Sequence, residues 1–264
     1  MKTSEIEKIY DNWYGDAKKS KFEKIQSKWR DLAAFYKAKN IAKYFEPNQS
    51  DEILDIGGGT GEVSDQLHKK FAFPKTKLVE ISKDAVTYSK KKQGIKKAIE
   101  FNGYHIPLPD RSIDFGFSTH VLEHVPNPRK FLQELHRVCK KVFIEIPIDY
   151  SENIPTIHLL SYGHVNVFSP SIARFLIESE GFNIEKEFPS NNQRRFNMRY
   201  FNHFYNMNNP KNLFSKSLFL IKYLASILKR FIIKTQPSEY CFICEPNDSF
   251  EIVSLVETQK RLNN

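Results

Sequence analysis

The run Glu52-Ile53-Leu54-Asp55-Ile56-Gly57-Gly58-Gly59-Thr60-Gly61-Glu62 reads as a buried β-strand that passes into a glycine-rich turn and then directly into a helix. Ile53, Leu54 and Ile56 make a short apolar run suited to a strand covered on both faces. The consecutive glycines permit the tight turn and close backbone approach that a bound ligand requires. A dinucleotide site asks for G-x-G-x-x-G, but residues 57–61 give G-x-G-x-G, and Glu62 stands where the last glycine is expected. A carboxylate at the mouth of the helix repels a pyrophosphate, whereas a ligand carrying sulfonium and α-ammonium charges tolerates it. Asp55 points the same way.

Asp55-x-Gly57-x-Gly59-x-Gly61 resembles motif I of the class I S-adenosylmethionine-dependent methyltransferases. The next strand, Lys77-Leu78-Val79-Glu80-Ile81, ends in an acidic residue at the place where that family holds the ribose hydroxyls, and one carboxylate can accept from both hydroxyls of a cis-diol. Ile106 to Asp114 is similar to the family's loop between the third and fourth strands. Ser118-Thr119-His120-Val121-Leu122-Glu123-His124-Val125 resembles the segment after the fourth strand in its small-molecule branch, the one that includes ubiquinone/menaquinone methyltransferase-like and surface-glycan enzymes. The resemblance implies S-adenosyl-L-methionine as cofactor, held by Asp55, Gly57, Gly58, Gly59, Gly61, Glu80, Ile81, Asn102, Gly103, Ser118 and Thr119. Relatives often place Asp where Asn102 stands, to accept from the adenine amino group. Asn keeps an acceptor oxygen without the charge, so a lower cofactor affinity is expected.

With 264 residues the chain exceeds a typical domain, so extra segments are expected around an α/β core. The net charge of +9 suits nucleic acid or an anionic surface, and it equally suits the Lys-, Asn-, Ile- and Phe-rich composition of proteins from AT-rich genomes. Cys139, Cys241 and Cys244 make no disulfide framework, and a reducing cytoplasm is the default. Cys241 and Cys244 fall three apart on an apparent strand, facing opposite sides, so no metal is expected. The N-terminal residues carry no apolar run of the kind a signal peptide needs.

Residues 1–46 show apolar residues at spacings of three and four, which predicts helices that cover the site as an N-terminal lid; Tyr10 and Tyr14, with Trp13, are candidate acceptor contacts. From Pro47 the pattern alternates strand and helix: strands 52–57, 77–81, 98–101, 114–118 and 141–146, with helices 62–71, 83–92 and 128–139 between them. The fold class is therefore α/β, a Rossmann-like, seven-stranded, mostly parallel sheet with helices on both faces. Ser169 and Pro170 open a further helix that Gly181 closes, and strands 183–188 and 239–245 complete the sheet. The methyltransferase domain thus spans 47–188 and 236–264, interrupted by an inserted helical segment at 189–235, far longer than a hairpin loop.

Lys216 to Lys234 within the insertion is apolar with a basic stripe, suited to packing over the site, pairing with a second subunit or lying on a membrane surface. Arg194, Arg195 and Arg199 interleave with aromatic residues, and guanidinium forks match phosphate, so they are candidate grips on an anionic acceptor. His120, His124 and His164 are the candidate general bases, with His158 nearby in sequence. No Asp/Asn-Pro-Pro-aromatic motif and no Pro-Cys nucleophile follows the fourth strand, which disfavours nucleic acid. The reading is methyl transfer to a small, anionic acceptor: a phosphorylated, phosphoramidate or nucleotide-sugar metabolite of capsule or other surface-polysaccharide synthesis. Its alternatives are a lipid, quinone or macromolecule methylated at a membrane surface, and a non-catalytic cofactor-binding subunit. A nicotinamide enzyme on the same sheet is disfavoured by the missing glycine.

Overall fold

Seven strands form one sheet: β1 (Ile53–Ile56), β2 (Thr76–Glu80), β3 (Ile95–Glu100), β4 (Ile113–Thr119), β5 (Cys139–Pro147), β6 (Phe182–Ser190) and β7 (Glu239–Pro246), in the order β3-β2-β1-β4-β5-β7-β6. All pairings run parallel except those of β7, which lies antiparallel between β5 and β6. This is the Rossmann-like, mostly parallel arrangement that the sequence predicts. The structure is a computed structural model and describes residues 21–148, 163–190 and 239–249. Tyr10, Trp13, Tyr14, His158, Arg194, Arg195, Arg199 and the 216–234 stretch lie outside the described residues.

Among the described residues five α-helices accompany the sheet: α1 (Lys21–Ala42), α2 (Glu62–Phe71), α3 (Lys83–Ser89), α4 (Pro128–Val138) and α5 (Pro170–Ser179). The two-residue period of the strands sorts the core into two layers. Leu54, Ile56, Val142, Ile144, Ile146, Phe242 and Cys244 face α4 and α5, where Phe131, Leu132, Leu135, Ala173 and Ile177 meet them. Ile53, Phe115, Phe117, Phe143, Cys241 and Ile243 face the other way, toward Ala38 and Ile41 of α1 and Leu67 of α2. Cys241 and Cys244 therefore sit in opposite layers, both fully buried.

The helix starts follow the capping chemistry. Asn127 accepts from the Lys130 N–H ahead of Pro128, and Ser169 accepts from the Ile172 N–H ahead of Pro170. Most boundaries move by one or two residues, and two move by three. Strand β3 begins at Ile95 rather than 98, because an edge strand tolerates the charged Lys96 and Lys97, and only Ala98 is buried. Helix α3 stops at Ser89 rather than 92, where Lys92 N–H bonds the Ser89 carbonyl and starts the turn into β3.

Strand β1 is flanked by β2 on one side and β4 on the other, so the chain winds outward in opposite directions from this pair. The crevice beyond the carboxyl ends of β1 and β4 is where an open parallel sheet binds its ligand. Helix α1 crosses above it.

Candidate cofactor and acceptor site

A cavity of about 360 Å³ opens at that crevice. Its floor is Asp55 and the turn Gly57 to Thr60, one wall carries Glu80 and Ile81, another His120, Val121 and His124, and Arg30, Ala33, Ala34 and Lys37 of α1 form the roof. The roof residues recur at three and four positions, one face of a helix. Apolar spacing in the sequence does not single out these small and basic residues, which become legible once the helix is placed.

The turn is shaped by its glycines. Gly57, Gly59 and Gly61 have φ of 70°, 55° and 81°, where side chains other than glycine are strained. At Gly58 the constraint is space instead: an added Cβ would lie 2.6 Å from the Asp55 carboxyl carbon and 2.6 Å from Leu78. Asp55 lies beneath the turn, accepting from Ser64 Oγ of α2 at 2.7 Å. Burial, reinforced by the charges of Glu80 and Glu62 and opposed by Ser64, pushes its carboxyl up to about 7. A buried carboxyl of this kind suits a cationic group on a ligand.

Glu80 is anchored by three backbone donors. Its Oε2 accepts from Gly59 N–H at 2.9 Å, and its Oε1 from Ile81 and Ser82 N–H at 2.8 and 3.0 Å. This fixes the carboxylate at the cavity wall and ties the glycine turn to the end of β2. Glu62 takes the Thr60 hydroxyl and faces Lys92 at 3.6 Å and Arg30 at 3.9 Å. Gly103 lines the cavity but Asn102 does not: its Oδ1 accepts from Tyr104 and His105 N–H at 3.0 and 2.8 Å, closing a turn. The contrast with the sequence expectation has a local cause, since an Asn before a turn bonds the backbone two and three residues on. Thr119 lines the cavity, while Ser118 is buried beneath it.

At the other end His120 follows β4 with φ of 59°. Its Nδ1 faces Glu123 Oε1 at 3.5 Å and its Nε2 faces Glu145 Oε1 at 3.4 Å. Both carboxylates are 1% exposed. Glu145 Oε2 accepts from Asn40 Nδ2 of α1 at 3.1 Å, and Asn40 also donates to Ser190 Oγ at 2.8 Å, which in turn donates to Glu239 at 3.2 Å. Burial acts to raise Glu145, but His120, Lys37 and Asn40 outweigh it and hold the carboxyl below its ordinary value. Glu239, buried beside Glu145, is pushed up. Sequence reasoning missed Glu145, which alternates with apolar residues on a buried strand. A charge inside such a run is the signal that could have found it.

His124 and His164 stack edge to face, with ring centroids 5.0 Å apart. His124 lines the cavity, and burial lowers its basicity against the pull of Glu123. The sequence expects no metal, yet Glu123, His124 and His164 each place a ligand-type atom within 4.8 Å of the others.

A glycine turn after β1, a carboxylate closing β2 and a cavity between them at the switch point define a class I methyltransferase fold. Residues 54–142 match the family model described as a methyltransferase domain. The ubiquinone/menaquinone biosynthesis C-methyltransferase UbiE of Rickettsia massiliae is 28% identical over 117 residues, 40% of this chain and 47% of that protein. The chain thus spans about half the length of the curated relatives it matches. Among solved structures, phosphoethanolamine N-methyltransferase 2 of Haemonchus contortus with S-adenosyl-L-methionine superposes with a TM-score of 0.58 at 15% identity, over 80% of this chain and 52% of that one. The [4+2]-cyclase SpnF does so with a TM-score of 0.59 at 13% identity, over 81% of each chain. Residues 54–142 thus carry a methyltransferase domain on a class I methyltransferase fold, the kind of domain for which S-adenosyl-L-methionine is the cofactor.

The residues present suit that cofactor. The close-packed glycine cradle leaves room for a ligand backbone-on, Glu80 offers fixed acceptor oxygens, and Asp55 and Glu62 offer negative charge to its cationic end. Among the described residues no helix is long and apolar enough to cross a membrane.

Proposed function

We propose that this chain transfers a methyl group from S-adenosylmethionine to a small anionic acceptor, a phosphorylated, phosphoramidate or nucleotide-sugar metabolite of surface-polysaccharide synthesis. The observation that carries the reading is that the Glu80-anchored glycine turn and His120 face one cavity, with two cations, Arg30 and Lys37, in its roof. When bound, the cofactor supplies an electrophilic methyl on sulfonium. His120 borders the cavity and is the residue we assign to take the proton of an acceptor hydroxyl or amine, with a carboxylate 3.5 and 3.4 Å from its two ring nitrogens to meet the charge. Transfer would join the methyl carbon to the acceptor atom as the carbon–sulfur bond broke, releasing a neutral thioether and leaving only the acceptor's proton for the protein to take. Alignment of the acceptor by the roof and His120 supplies much of the acceleration.

The UbiE relatives favour a second reading, carbon methylation of a quinone-like ring, for which the apolar wall of Val121, Val125, Pro126 and Phe131 is suited. The fold does not choose the reaction, since one neighbour of equal similarity is named a cyclase. The deciding experiment measures S-adenosylhomocysteine release with two pools offered separately, small phosphorylated metabolites and nucleotide sugars in one, lipids, quinones, protein and nucleic acid in the other. Release with the first supports the anionic acceptor. Release only with the second overturns it, and cofactor binding with no release from either leaves a non-catalytic cofactor-binding subunit. Under the main reading, Arg194→Ala with Arg195→Ala raises the acceptor KM and leaves cofactor affinity unchanged.

A further inference from the structure

Glu123 and His124 belong to a single 3-10 turn, Leu122–His124, immediately after His120. His164 lies in the stretch that leads to α5, and that stretch is pinned to the same turn. Val165 and Asn166 N–H donate to the Glu123 carbonyl at 2.8 and 3.0 Å, and Asn166 Nδ2 donates to the Leu122 and Val125 carbonyls at 3.2 and 2.7 Å. Three donors from two distant parts of the chain are thus brought together on a hydrogen-bonded frame.

Two features of the cluster suit a cation. Glu123 is 1% exposed, and among the described residues neither of its carboxylate oxygens accepts a hydrogen bond, its nearest basic neighbours being the rings of His120 at 3.5 Å and His124 at 3.6 Å. A buried carboxylate left so is costly unless charge compensates it. His124 Nδ1 lies 3.0 Å from the Gly163 carbonyl, which can only accept, so Nδ1 carries the hydrogen. In the neutral ring the lone pair is then on Nε2, and it is turned toward Glu123 Oε1 at 3.6 Å.

We propose that Glu123, His124 and His164 form a binding site for a divalent transition-metal ion of the zinc type. Tetrahedral ligand atoms at ~2.0–2.2 Å from a zinc ion lie roughly 3.4 Å apart, close to the observed separation of Nε2 from Oε1. A histidine whose other ring nitrogen donates to a backbone carbonyl is the usual arrangement of a metal ligand, because the carbonyl fixes the tautomer and turns the lone pair inward. Two imidazoles and one carboxylate select zinc, cobalt or ferrous iron over magnesium or calcium, which take oxygen ligands. Three protein ligands leave a fourth position for water or an acceptor atom. His124 borders the cavity, so the ion stands at the end which, under the reading above, receives the acceptor; the site itself does not depend on that reading.

The test uses the full chain, stripped with a chelator and dialysed, and titrates Co²⁺ by its visible absorption with Zn²⁺ in competition. One equivalent should bind saturably. Glu123→Gln and His164→Ala should each weaken binding by about tenfold or more, and His105→Ala, at an exposed histidine, should not. Absence of saturable binding at one equivalent overturns the proposal, as does binding that survives both ligand substitutions. S-adenosylhomocysteine affinity, measured on the same samples, reports folding of the variants. Metal binding without cofactor binding would refute the cofactor reading and leave the metal site standing.

Discussion

His120 Nε2 lies 3.4 Å from Glu145 Oε1, and the backbone that puts it there has φ of 59°. Holding a non-glycine residue in the left-handed region costs about 1–3 kcal/mol, a strain that persists where the surroundings fix it. Here they do: the His120 N–H donates to the Glu145 carbonyl at 2.8 Å while the Glu145 side chain faces the ring. One residue of β5 therefore holds both the backbone and the imidazole.

Replacing His120 by Asn keeps a residue that tolerates left-handed backbone and removes the base. The expected result is a kcat lower by about 10²-fold or more, with S-adenosylhomocysteine affinity unchanged. Loss of cofactor affinity with unaltered kcat would place His120 in the cofactor half of the cavity and exclude it as base.

Asp55 links pH to both stability and binding. Its folded value of about 7 lies above the ordinary 3.8, so the folded protein holds the proton more tightly than the unfolded chain. Stability from this group is full below the lower value and is lost as pH rises through the upper one. Asp55→Asn, which stays neutral, should raise the melting temperature of the cofactor-free protein relative to wild type at pH 8, with the gap closing toward pH 4. Cofactor binding runs the other way, since a cationic ligand favours the ionised carboxyl. Wild-type S-adenosylhomocysteine affinity should increase as pH rises through about 7, and the Asn variant should bind more weakly without that rise. Calorimetry across this pH range checks both.

Glu80→Ala removes the acceptor of Gly59, Ile81 and Ser82 N–H at once. S-adenosylhomocysteine binding should fall by about tenfold or more, since each hydrogen bond to a charged group contributes about 1.5–3 kcal/mol. Unchanged affinity would remove Glu80 from the site.

Asn40 joins α1 to Glu145 and to Ser190. Among the described residues Asn40→Ala leaves Glu145 Oε2 with the Cys241 thiol at 3.5 Å as its hydrogen-bond donor, and should cost about 1–3 kcal/mol in chemical denaturation. Because α1 also carries the roof residues Arg30 and Lys37, the acceptor KM should rise together with that loss. A stability loss with no change in KM would show that the roof is held without this bond.

Some of this was written locally and some was not. The strand-turn-helix at Glu52 to Glu62, the acidic end of β2 and the capped starts of α4 and α5 rest on neighbours within a few residues, and the sequence pattern reached them. Asn102 shows the limit: its type suited adenine, but its oxygen satisfies the backbone of the next turn. Glu145 was hidden because its partners, His120, Asn40 and Cys241, lie far away in sequence.

By itself the sequence determined the doubly wound sheet and the glycine turn that opens its crevice, because hydrophobic period and glycine geometry act over short range and leave few topologies open. The tertiary structure alone decided which charges share a space. Burial put Glu145 against His120, stacked His164 on His124 from across the chain and laid Lys37 over the cavity. Those pairings depend on how distant elements pack, and electrostatic consequence follows distance in space rather than distance along the chain.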